Sequence, residues 1–106
     1  MEEKKKLYLN AKGKTLNERV YTQFAHDVRG MLISLYDAGI DIPMHLVGRP
    51  EQIDSFMTAL KKEKRYMDSY MRNGLDNHKT MSSKYQLDNA VKQFEYETGL
   101  KWPFKN

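Results

Sequence analysis

Between Leu16 and Leu35 the chain repeats apolar side chains at intervals of three and four: Leu16, Val20, Phe24, Val28, Met31 and Leu35, with Leu32 at the shoulder. That period places all of them on one side of a helix. A helix apolar along one stripe must pack that stripe against something, so the flanking segments have to supply a surface. Thr15-Leu16-Asn17-Glu18 has the spacing of a capping box at its start, with Thr15 as the cap, and Gly39 is placed to close it.

The flanks read as short strands. Lys5-Lys6-Leu7-Tyr8-Leu9 precedes the helix, and Ile40 to Val47 follows it. Asp41 and Pro43 confine the second ladder to Met44–Val47, because proline cannot donate to a neighbouring strand. Strand, helix and strand make a βαβ unit with a right-handed connection. Two strands are a thin sheet, and a third is sought in residues 10–14, in residues 75–81 or in another subunit.

After Gly48-Arg49, Pro50 suits the first position of a second helix, where a missing N–H costs nothing. Ile53, Phe56, Met57, Leu60, Met67 and Met71 line its apolar face, with Lys64 inside the stripe, and Asn73-Gly74 ends it. Leu75–Met81 reads as a loop. Ser83 with Gln86 repeats the capping-box spacing ahead of a last helix built on Leu87, Ala90, Val91 and Phe94, which Gly99 closes. Trp102, in the apolar tail Leu100-Lys101-Trp102-Pro103-Phe104, is expected to dock on the core. The reading is a small α/β or α+β fold in the order β-α-β-α-α, a thin sheet covered by helices, with residues 1–106 as one domain.

Composition narrows the chemistry. There is no cysteine, which removes disulfides, thiolate nucleophiles and cysteine-built zinc sites. The longest apolar runs are three residues, as at Met31–Ile33, against roughly 20 for a membrane helix. No apolar signal-like run follows Met1-Glu2-Glu3-Lys4-Lys5-Lys6, so a cytoplasmic protein is expected. His26, His45 and His78 have no compact ligand spacing, and no cofactor or metal is implied.

Two places carry candidate binding residues. Ala11-Lys12-Gly13-Lys14-Thr15 ends like a phosphate loop, but Tyr8 stands where the first glycine belongs. What remains is a helix N-terminus beside Lys12, Lys14 and Thr15 that suits a small phosphorylated ligand. The second place is the basic stretch Lys61, Lys62, Lys64, Arg65 and Arg72 with Tyr66 and Tyr70, interrupted by Asp68. Cations beside aromatics suit a nucleic-acid backbone and its bases; the same surface suits a protein partner. With no nucleophile, carboxylate pair or cofactor signature, the sequence favours a small, non-enzymatic binding or inhibitory adaptor acting through a protein partner. Nucleic acid and the phosphorylated ligand are the alternatives. A C2 homodimer is expected from the thin sheet and from Ile33 on the outer face of the first helix.

Overall fold

The computed structural model describes residues 5–11, 18–38 and 44–104. The elements are β1 (Lys5–Tyr8), α1 (Glu18–Ala38), β2 (Met44–Val47), α2 (Pro50–Asn73) and α3 (His78–Thr98). The order is the expected one, and the fold is a small, mostly helical α+β arrangement.

Pairing of β1 with β2 is parallel, with Leu7 opposite Leu46. Side chains alternate along β1 as a half-buried strand requires: Leu7 and Leu9 are buried while Lys6 and Tyr8 face outward. The ladder continues as Leu9 N–H donates to Val47 O at 2.9 Å. Ala11 N–H then donates to Thr98 O at 2.8 Å, tying this strand's exit to the end of α3. The described residues form a sheet of two strands only, and residues 75–81 supply a turn and helix rather than a third. Residues 12–14 lie outside the described residues, as do Thr15 and Gly39, the expected ends of the first helix.

On α1, Phe24, Val28, Met31 and Leu32 are buried as the spacing predicts. Val20 departs from that stripe, being 43% exposed, and Tyr21 packs on the core in its place. On α2, Phe56, Ala59 and Leu60 are buried, with Ile53, Met57 and Met67 packed against them. Met71 is 74% exposed, because α2 outruns the core by its last turn.

The core is organised by aromatic rings. Phe94 of α3 lies 6.0 Å from Phe24, 5.9 Å from Phe56 and 5.2 Å from Trp102, within the range of favourable ring contacts. Trp102 is buried as expected, with Phe104 packed edge-on beside it. Gly99 turns the chain out of α3 in the left-handed region, at φ 76°, and so aims the tail back at these rings.

The side chain of Gln52 ties three segments together. Its Nε2 donates to Asn10 Oδ1 at 3.2 Å and Glu97 O at 3.1 Å, and its Oε1 accepts from Arg49 N–H at 2.9 Å. Arg49 has no acceptor to return that bond, so α2 carries half a capping box with Pro50 at its first position. Gly48 makes room for this arrangement: a Cβ there would meet Gln52 Oε1 at 3.0 Å and Leu9 Cβ at 3.3 Å.

Ser83 is not the cap of α3. The helix starts at His78, five residues earlier, and Asn77 caps it by accepting from Lys79 N–H at 2.8 Å. Early α3 buries Thr80 and Ser83 against α2, and the Thr80 and Ser69 hydroxyls bond at 2.9 Å. Small polar residues on this seam leave no apolar period to read, which is why the stretch resembled a loop. Replacing Asn77 by alanine should lower stability by about 1 kcal/mol, seen as a lower urea midpoint at unchanged slope.

A basic groove as candidate functional site

Because α2 runs on past the core, its outer face borders a groove of about 710 Å³. Helical spacing brings Lys61, Lys64, Arg65, Asp68 and Arg72 onto it from successive turns. Half-buried Met57, with the buried Leu60 beneath it, gives it an apolar floor, and Lys79 and Ser83 join from α3. Five cations therefore line it with Asp68 as the one carboxylate. Asp68 pairs with Lys64 at 3.0 Å, a half-exposed contact of small energetic worth that leaves the groove strongly positive.

Of the predicted basic and aromatic set, Lys61, Lys64, Arg65 and Arg72 come together here. Lys62 does not: its Nζ turns to α3 and donates to Gln86 Oε1 at 2.8 Å. Tyr66, half-buried, and Tyr70, exposed, lie outside the groove lining. Lys79 is the residue that sequence reasoning missed, since it fell in the expected loop. The signal for it is Asn77, a strong cap that puts Lys79 in the first turn of α3. That turn carries no acid, so the positive end of the helix adds to the same field.

The other predicted site residues, Lys12, Lys14 and Thr15, lie outside the described residues. His26, His45 and His78 are exposed and sit on α1, β2 and α3 respectively. Among the described residues no group of three His, Asp or Glu side chains is placed to hold a metal ion.

A second, smaller cleft of about 180 Å³ lies where α2 begins and α3 ends, lined by Glu51, Asp54, Ser55, Thr58, Ala90, Gln93 and Glu97. The two clefts along the α2/α3 pair thus differ in sign, this one acidic and the larger groove basic.

Glu63 is the buried carboxylate of α2, 2% exposed, and its Oε1 accepts the Trp102 indole N–H at 2.9 Å. Burial pushes its carboxyl above the usual range; the indole bond opposes that and Asp88 adds to it. Since the folded carboxyl holds its proton more tightly than the unfolded one, this contribution is fully present at acid pH. It declines as pH rises through the raised value. Glu63→Gln keeps an acceptor for the indole and should flatten that decline. Glu63→Leu strands the indole N–H and should lose ~1–3 kcal/mol at acid pH, a loss that narrows as pH rises and the unaltered protein weakens. Urea titrations followed by Trp102 emission, which shifts red on unfolding, measure both.

Comparison with protein-family models, with curated proteins and with solved structures finds no match to this chain.

Proposed function

We propose that this protein is a small non-enzymatic adaptor or inhibitor whose α2/α3 groove takes an acidic amphipathic segment of a protein partner. The observation that carries this reading is the pairing of an apolar patch, half-buried Met57 over the buried Leu60, with a rim of Lys61, Lys64, Arg65, Arg72 and Lys79. An amphipathic helix seats its apolar face in such a groove, and acids on its flanks meet the rim. A nucleic-acid backbone would use the cations but leave the apolar floor unmatched, and Tyr66 and Tyr70 stand off the groove where bases would need rings to stack on. No described helix is long and apolar enough to cross a membrane. The working place is the cytoplasm, and the working form includes a C2 homodimer.

A labelled helical peptide with leucines at i, i+4 and i+7 and glutamates on both flanks tests the groove by fluorescence anisotropy. Binding should be saturable and weaken with salt. Arg72→Glu combined with Lys79→Glu should reduce affinity by roughly 10-fold or more, since two rim attractions become repulsions. Single-stranded and duplex oligonucleotides run alongside at about 0.15 M salt. Oligonucleotide binding with a steep salt slope and no peptide binding would move the function to nucleic acid. Binding of neither would remove the groove as a functional site.

A further inference from the structure

On α2 the residues Glu51, Asp54, Thr58, Lys61 and Arg65 follow one another at intervals of three and four, so they form a single stripe, and all five are exposed. Along that stripe the order is two acids, one small neutral residue and two bases. None of the four charged side chains makes an ion pair with another described residue. Such an order is complementary to itself when reversed. We propose that a second copy of this chain docks antiparallel on this face, with the two-fold axis passing by Thr58.

In that register Glu51 of one copy stands opposite Arg65 of the other, and Asp54 stands opposite Lys61. The two-fold repeats both pairs, giving an isologous, closed interface. Thr58 is the right residue for the axis: it is small, and half-buried Ala90 lies beside it across the acidic cleft, so two backbones can approach. The flanking helix has the same polarity, since α3 runs antiparallel to α2, with Glu97 beside the acidic half and Lys79 beside the basic half. Parallel stacking of the same faces would set acid on acid and base on base, which selects the antiparallel form.

Between Glu51 and Arg65 the helix rises about 21 Å, and two helix widths add about 20 Å, so each copy offers roughly 400–500 Å². The two copies together bury roughly 800–1,000 Å², below a standard stable interface and in the range of weak, transient ones. Association should therefore be weak, steered by charge and sensitive to salt. It deepens the homodimer reading above, and because Lys61 and Arg65 also line the groove, a docked copy and a foreign segment would compete for them.

Sedimentation equilibrium of the full chain at ~100 μM and about 50 mM salt should report close to twice the 12.5 kDa chain mass, falling toward the single mass near 0.5 M salt. Glu51→Lys with Asp54→Lys should be monomeric at low salt, and so should Lys61→Glu with Arg65→Glu. Mixing the two variants in equal amounts should restore a dimer, because each now presents one sign along the whole stripe. Thr58→Cys should form a disulfide-linked dimer under mild oxidation, its thiol being the only one in a chain without cysteine. A single-chain mass for the unaltered protein at low salt would overturn the proposal. So would a dimer that survives in either charge variant, or a mixture that fails to associate. Glu51→Lys with Asp54→Lys leaves the Arg72 and Lys79 end of the groove intact. Peptide binding in that variant therefore reports on the adaptor reading separately from the dimer.

Discussion

The ring of Phe94 is where the elements meet. It touches Phe24 of α1, Phe56 of α2 and Trp102 of the tail, so removing it would part three segments at once. A two-stranded sheet cannot hold a helical layer by itself. The parallel pair β1 and β2 is instead anchored by Leu7 and Leu9 pointing into the same core. Gln52 fixes the polar edge of this assembly by satisfying both ends of its amide against three separate segments. Among the described residues no buried side-chain polar atom lacks a partner, which is what such packing demands.

From that anchor α2 and α3 extend as a hairpin beyond the aromatic cluster. Where the cluster ends, the seam between them changes character. Ala59 and Phe56 give way to Ser69, Thr80 and Ser83, and hydroxyl pairing replaces ring packing. The outer face of the hairpin is therefore free of structural duty, and its two clefts differ in sign. Acid gathers near Glu51, Asp54 and Glu97, base near Arg65, Arg72 and Lys79. Charge separated along a rigid helix pair gives orientation to whatever docks there, and contributes more to specificity than to raw affinity.

Much of the candidate site was already legible in Lys61, Lys64, Arg65 and Arg72, because their helical spacing assigns them neighbouring faces before any tertiary contact is known. Lys62, one residue from Lys61, could not be separated from them by composition. It is the proximity of Gln86 that draws it to the other side. Tyr66 and Tyr70 looked like partners of the basic run because they share its segment, yet they leave the groove. Lys79 was hidden by the hydroxyl-rich start of α3, whose burial does not follow an apolar period.

By itself, the sequence determined the order β-α-β-α-α, the apolar stripes through Phe24, Val28, Phe56 and Leu60, and the stop at Gly99. These depend on local period and on backbone freedom, which a linear chain already contains. Only the tertiary structure decided that Asn77 rather than Ser83 begins α3, that Val20 and Met71 face out, and that five cations share one groove. Those outcomes depend on how far each helix overlaps its neighbour, and that overlap is set by packing between residues far apart in the chain.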